Sequence, residues 1–272
     1  MGSKQRIEVI YEDSELLVVN KPAGVLTIAD RMGGESVRDL LAAARPDLAA
    51  LRIVHRLDRD TSGVLVLAKT AGAQRALCRQ FDERTVEKYY LAIVRGEPAE
   101  DGGLIDAPLA AHPGRDQRMV VRSSGKAAQT EWQVVERWGG LALLRCRPLT
   151  GRQHQIRVHL SCAGMPLLVD ELYGSASAFY LSSVKPDYRQ STRHPERPLI
   201  NRLTLHAESV TFTHPSRPDR LTLTANPPKD FRATLSQLRP TRPPRAWTLG
   251  LRSADTAGQR WIPHRPTRGN LL

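Results

Sequence analysis

The densest run of functional groups in the chain is His55-Arg56-Leu57-Asp58-Arg59-Asp60-Thr61-Ser62-Gly63, and it feeds straight into the apolar stretch Val64-Leu65-Val66-Leu67-Ala68. A polar loop mounted on a rigid buried strand is a sound place for a reactive carboxylate. Guanidinium groups beside a carboxylate favour its anionic form, and an anionic carboxylate can act as nucleophile or base. Spacing alone does not choose between Asp58 and Asp60, and it equally allows an ordinary charged turn pinned by Arg–Asp pairs. A Ser62–His55–Asp58 hydrolase triad is conceivable, although no Gly-x-Ser-x-Gly turn exists to present the serine. His154 and His159 find no third ligand at metal-binding spacing, so they read as solvated or hydrogen-bonded histidines.

The elements that would carry these groups follow from hydrophobic period and turn chemistry. Ile7–Tyr11 and Leu16–Asn20 read as strands, and Lys21-Pro22-Ala23-Gly24 breaks the second. Ser36–Arg45 reads as a short helix with Ser36 or Glu35 near its start and Pro46 just past its end. Val64–Ala68 is a buried strand, Gln74–Arg84 a helix with Leu77 and Phe81 one turn apart, and Lys88–Val94 a strand. Thr130–Val135 and Leu141–Cys146 form a hairpin about Gly139-Gly140. Gln153–Cys162 reads as an amphipathic helix with Ile156 and Leu160 facing the core. Leu203–Thr213 and Arg220–Ala225 are strands, and Lys229–Leu238 is a closing helix behind Pro227-Pro228. Strands outnumber helices and several are sequential neighbours, which predicts an α+β fold with a mainly antiparallel mixed sheet and flanking helices.

Charge narrows the class of partner. The 272 residues carry 40 Lys and Arg against 28 Asp and Glu, a net charge of +12. Such an excess points to a polyanion, most often nucleic acid. Seven arginines and one acid fall after Leu238, where an Arg/Pro-rich tail begins; residues 1–239 are expected to form the catalytic domain and 240–272 a basic tail, partly disordered. The prolines of that tail exclude a long amphipathic membrane helix. Neither a secretory leader nor a bilayer-length apolar run is expected. The three cysteines are far apart and unpaired, as suits a reducing cytoplasm. No G-x-G-x-x-G, GxxxxGK[ST] or HExxH motif is present, so nucleotide-cofactor and zincin chemistry lose their main support. Nothing demands more than a monomer.

Four ordered blocks carry a resemblance. His55-Arg56-Leu57-Asp58-Arg59-Asp60-Thr61-Ser62-Gly63-Val64-Leu65-Val66-Leu67-Ala68-Lys69 resembles the signature of the RluA-like family of RNA pseudouridine synthases. Asn20-Lys21-Pro22-Ala23-Gly24, Lys88-Tyr89-Tyr90-Leu91-Ala92 and Gly151-Arg152-Gln153-His154-Gln155-Ile156-Arg157-Val158-His159-Leu160 are similar to its other blocks. Arg202–Ala207 and Pro227-Pro228 look like its closing strand and loop. Two departures stand out: Val169 precedes Asp170 where the family often has glycine, and the 175–201 stretch is longer than usual.

The resemblance implies a pseudouridine synthase fold and the isomerisation of uridine to pseudouridine in tRNA or large-subunit ribosomal RNA, with no cofactor and no metal. It implies Asp58 as the catalytic residue, attacking ribose, attacking uracil or removing a ribose proton. Arg157 is implied as the ion-pair partner of that carboxylate, and Tyr90 as the ring against the uracil. The target base must leave its stack, at a cost of a few kcal/mol. Arg56 is implied to fill the space it leaves or to hold its phosphate. Lys21, Arg59, Arg152 and the segment bearing Lys185, Arg189, Arg193 and Arg197 are candidate phosphate contacts. Ile156, Leu160 and Val66 are candidate pocket walls, with plain core packing the stronger reading. Rival functions are a noncatalytic RNA-binding or ribosome-assembly module of the same fold, and a nucleoside hydrolase.

Overall fold

The computed structural model describes residues 6–29, 34–114, 118–174, 176–185, 188–189, 193–239 and 260–261. Its strands are β1 (Glu8–Glu12), β2 (Leu16–Lys21), β3 (Arg52–Ile53), β4 (Ser62–Ala68), β5 (Glu87–Arg95), β6 (Gly102–Asp106), β7 (Leu109–Ala111), β8 (Met119–Val121), β9 (Gln129–Arg137), β10 (Leu141–Pro148), β11 (Leu205–Thr213), β12 (Arg220–Thr224) and β13 (Arg260–Trp261). Four helices accompany them: α1 (Val37–Ala44), α2 (Ala71–Asp82), α3 (Gln155–Cys162) and α4 (Lys229–Leu238). The main sheet runs β1-β2-β4-β11-β5-β10-β9-β6-β13, with β3 on β4 and β12 on β11, and β7-β8 form a second small sheet. Among the described strands only β4/β11 and β6/β13 pair in parallel. The expected α+β, mainly antiparallel architecture is what the chain adopts.

Both faces of this sheet are covered, and the strands show it with a period of two. Ala92, Val94, Ala142, Leu144 and Cys146 face α3 through Ile156 and Leu160. Ile93, Leu141 and Leu143 face α4 through Phe231, Leu235 and Leu238. In the first half of the molecule, Leu16, Val18, Val64 and Val66 meet α2 through Ala73 and Leu77. Leu17, Val19, Leu65 and Leu67 meet α1 through Val37 and Leu41. β4 is therefore buried along its whole length, as its unbroken apolar run predicts.

Local chemistry sets several element ends. Ser36 caps α1 in a reciprocal box with Asp39. Gly139 and Gly140, at φ +50° and +89°, supply the paired positive dihedrals of a tight hairpin between β9 and β10. Gly63 is a steric necessity: at φ +118° a Cβ would lie 2.1 Å from the Ala207 carbonyl oxygen, so only glycine lets β4 approach β11 there.

Three expectations change. α3 starts at Gln155 because His154 sits in the left-handed region at φ +53°, and the helix is buried on all sides from Gln155 to Leu160, so it is not amphipathic. β11 begins at Leu205, and Leu205, His206 and Ala207 are all buried because it is a central strand covered on both faces. Short strands β3, β6, β7 and β8 were not foreseen; β6 opens on Gly102-Gly103, which reads locally as a turn. The expected tail after 239 lies outside the described residues, save for β13. Among the described residues no helix is long and apolar enough to cross a membrane.

Candidate active site

Sheet register brings the sequence blocks together. Ala207 of β11 stands opposite Gly63 of β4 on one side and Tyr90 of β5 on the other. Cys146 of β10 also stands opposite Tyr90. The loop preceding Gly63, the Tyr90 ring and the chain leaving β10 toward α3 therefore meet at one end of the sheet. A cleft of about 700 Å³ lies there, lined by Asp58, Tyr90, Ile156 and Arg157, with Arg56, Arg84, Lys88, Arg147 and Arg152 along it.

The loop bearing Asp58 is fastened residue by residue. The Val66 N–H donates to His55 Nε2 at 3.0 Å, and the His55 ring stacks on Phe81 at 4.7 Å. Thr27 and Leu57 exchange hydrogen bonds through the Thr27 hydroxyl. The Lys21 ammonium donates to the carbonyls of Pro22, Val25 and Arg59 at 2.7–2.9 Å. The Thr61 N–H closes a turn on the Asp58 carbonyl. Asp58 emerges with its side chain 22% exposed into the cleft, whereas Asp60 is exposed and lines no part of it. This geometry separates the two aspartates that spacing could not.

Arg157 stands between two carboxylates. Its Nε and Nη2 donate to Asp170 at 2.8 Å each, and its Nη1 lies 3.6 Å from Asp58 Oδ2. Asp170 also accepts the backbone N–H groups of Leu172 and Tyr173. Burial works against the Arg157 charge; the Asp170 hydrogen bonds and the charges of Asp170 and Asp58 outweigh it, holding its pKa above the ordinary value. The expected pairing of Arg157 with Asp58 is present as the looser arm of this bridge, and Asp170 is its rigid arm. Burial, then the Asp58 charge, raises the Tyr90 phenol above its usual range, so it stays protonated.

The other expected residues divide. Arg56 is exposed, lines the cleft and makes no ion pair with Asp60, and Arg152 lies half-buried beside it with Nε donating to the Ala127 carbonyl. Lys21 corrects the sequence reading: it is fully buried, and its three carbonyl partners make it a clamp on the loop that no phosphate can reach. Its burial lowers its pKa to about 7. Arg59 likewise lines no part of the cleft; its Nε donates to the Gly24 carbonyl. Lys185, Arg189, Arg193 and Arg197 line no part of the cleft. Ile156 is a wall, while Val66 and Leu160 are core. The Ser62–His55–Asp58 triad does not form, because Ser62 is buried against His206 Nδ1 at 2.9 Å. His159 is hydrogen-bonded to Thr130 and the Ala107 carbonyl. No cluster able to hold a metal occurs among the described residues.

His55 and His206 make the loop's support sensitive to acid. Burial, reinforced at His55 by the Lys88 charge, lowers His55 to about 3, and burial lowers His206 to about 4. An unfolded chain takes up these protons near pH 6.5; the folded protein refuses them until far lower pH. Stability is thus fully present above pH 6.5 and lost as the pH falls from there toward 4. At pH 4.5 the loss should reach about 3–5 kcal/mol for the pair, read as the difference in urea-unfolding free energy between pH 7.5 and 4.5. An unchanged free energy would contradict the neutral buried imidazoles.

Residues 15–162 match the family model described as RNA pseudouridylate synthase. The chain belongs to the RluA-like family of RNA pseudouridine synthases. The family is a class of isomerases. The chain is 40% identical over 225 residues to the dual-specificity RNA pseudouridine synthase RluA of Escherichia coli, spanning 82% of this chain and 93% of the relative. It is 36% identical over 240 residues to the ribosomal large subunit pseudouridine synthase C of Vibrio vulnificus, spanning 86% of this chain and 70% of the relative. The solved human RNA pseudouridylate synthase domain containing 1 superposes with a TM-score of 0.66 at 28% identity, covering 84% of this chain and 86% of that one. The family and fold implied by the four sequence blocks are thereby those of the protein.

Asp170 is the residue that sequence reasoning passed over. It stands in the Gly164–Asp170 segment, where attention fell on Val169 before it, and a lone buried Asp beside a buried Arg shows no local pattern. Lys88 and Arg84 enter the sequence reading only as ends of a block and a helix, and Arg147 does not enter it, yet all three line the cleft. Burial lowers the Lys88 pKa, and its ammonium sits over the Phe81 ring at 5.7 Å.

Proposed function

We propose that this pseudouridine synthase isomerises uridine in structured RNA, either large-subunit ribosomal RNA or tRNA, with Asp58 as the catalytic carboxylate. The observation that supports this most is the convergence of Asp58, Tyr90 and Arg157 on one cleft wide enough for a nucleotide. The name of the Vibrio vulnificus relative supports large-subunit ribosomal RNA, and the dual-specificity name of the Escherichia coli relative supports more than one RNA target.

The reaction breaks the bond from ribose to uracil N1 and makes one to C5; the C5 proton leaves and N1 ends protonated. Atoms and electrons balance within the substrate, so the isomerisation consumes no oxidant, reductant or nucleotide. Asp58 opens the reaction beside the ribose or the uracil. Tyr90 supplies an apolar ring against the base and an oxygen that can pass a proton. Arg157, held by Asp170, keeps an opposing charge beside Asp58 in a partly dry site, where an unpaired carboxylate would be costly. Ile156 and Tyr90 exclude water and keep the detached uracil from escaping.

Arg56, Arg84, Lys88, Arg147 and Arg152 along the cleft are the phosphate contacts in this reading. Each phosphate neutralised contributes roughly −0.7 to −0.9 to the slope of log affinity against log salt. A slope of about −3 to −5 is expected in filter-binding titrations, and Arg56→Ala should reduce its magnitude by about one. A slope near zero would remove the electrostatic cleft. Function itself is tested by incubating the protein with unmodified transcripts of large-subunit ribosomal RNA and tRNA, then chromatographing the nucleosides. Pseudouridine in either supports the reading. Tight binding to both with no conversion would instead identify a noncatalytic RNA-binding module.

A further inference from the structure

A second group faces the same oxygen of Asp58 as Arg157 does. His154 Nε2 lies 3.8 Å from Asp58 Oδ2, with the His154 side chain 11% exposed, and Arg157 Nη1 lies 3.6 Å from that oxygen. The left-handed backbone at His154, φ +53°, places this ring at the start of α3 and on the cleft lining. Its other nitrogen is spoken for: Nδ1 lies 2.9 Å from the Tyr173 hydroxyl.

The direction of that bond follows from the third member. The Met119 N–H donates to the Tyr173 oxygen at 2.7 Å. Among the described residues, the arrangement that gives the Tyr173 O–H a protein acceptor has Tyr173 donating and His154 Nδ1 accepting. A neutral imidazole that accepts at Nδ1 carries its proton on Nε2. The edge-on contact of the two rings at 5.6 Å and the Arg157 guanidinium over the Tyr173 ring at 5.1 Å hold the same arrangement.

We propose that His154, set in its Nε2–H tautomer by Tyr173, is a positioning residue that together with Arg157 holds one oxygen of Asp58 and presents the other to the substrate. The inference rests on the reading of Asp58 as the catalytic carboxylate and specifies which of its oxygens reacts. A separation of 3.8 Å is longer than a hydrogen bond, and such contacts commonly tighten when substrate closes the site. The charged and titratable groups that face His154 are Asp58, Arg157, Asp170 and Arg56, besides Tyr173. Burial outweighs the attraction of Asp58, so the imidazole is held below its ordinary pKa and neutral at pH 7.

Tyr173→Phe tests the relay, because it keeps the ring and removes only the donor. His154 can then place its proton on Nδ1, with Nε2 bare toward Asp58. At pH 8 the kcat for tritium release from RNA bearing 5-tritiated uridine should fall about 10-fold, with KM within about 3-fold of wild type. The deficit should shrink as the pH is lowered from 8 toward 5.5, since the imidazolium, whose share rises, carries a proton on both nitrogens and restores the Nε2–H. A second comparison fixes the donor. His154→Gln and His154→Leu both put an ordinary side chain on the left-handed backbone, but only Gln offers an N–H near Nε2, so Gln should exceed Leu in kcat by about 10-fold. A pH-independent deficit in Tyr173→Phe together with equal Gln and Leu variants would overturn the proposal while leaving Asp58 as the catalyst. Wild-type protein that releases no tritium would remove the underlying reading, and this proposal with it.

Discussion

Asp58→Asn is expected to lower single-turnover pseudouridine formation by at least ~10³-fold, a barrier increase above about 4 kcal/mol, while RNA affinity stays within about 3-fold. The substitution keeps the shape of the side chain and removes its charge. An amide can neither attack ribose or uracil nor accept a ribose proton with comparable strength, so the three chemical roles open to Asp58 fail together. The fold should tolerate the change. Arg157 retains its two-point contact with Asp170, and the Asp58 side chain is partly open to water. Asp60→Asn serves as the comparison, because Asp60 lies outside the cleft and its neutralisation should leave turnover near wild type. Loss of activity in Asp60→Asn with retention in Asp58→Asn would reverse the assignment.

Asp170→Ala should have the largest effect on stability. The carboxylate is 1% exposed and accepts four hydrogen bonds: two from Arg157 and one each from the Leu172 and Tyr173 backbones. Its loss strands a buried guanidinium and two partly buried N–H donors. Breaking one side of such a pair costs about 3–5 kcal/mol, a large fraction of the ~5–15 kcal/mol typical of a whole domain. The measurement is the urea-unfolding free energy of both proteins at pH 7.5. Asp170→Asn, which preserves volume and some hydrogen bonding, should lie between them. Its turnover should also fall, because Arg157 is then free to move toward Asp58 as a close partner or away from it. A loss below about 1 kcal/mol in Asp170→Ala would mean that Arg157 is not held as described.

Much of this was legible before any coordinates, and the limits have physical reasons. Strands such as β4 and hairpins such as β9-β10 declare themselves by apolar runs and by Gly139-Gly140, because local chemistry decides them. α3 did not, since its helical period was sound but its burial on every side is set by elements distant in sequence, among them Thr130 and Ala107, which lie 29 and 52 residues from His159. Lys21 shows the opposite error. A lysine beside Pro-Ala-Gly looks like a surface cation, and only the fold reveals that two carbonyls of the following turn and the distant Arg59 carbonyl converge on it. Asp58 was narrowed by resemblance and separated from Asp60 by geometry. Asp170 and Tyr173 became visible only as partners of Arg157 and His154, because their meaning lies in contacts between chain segments and not in local spacing.

The most direct test of the central claim is the fate of label at uracil C5. RNA transcribed with 5-tritiated uridine is incubated with the purified protein in chelator-treated buffer without nucleotide, and both water-borne tritium and free uracil are counted. The account predicts tritium in the water, in proportion to pseudouridine formed, with no free uracil and with none of this in Asp58→Asn. Free uracil would show hydrolysis in place of rejoining, and label that stays on the RNA in every substrate class would show that the aspartate in this cleft does not rearrange a base.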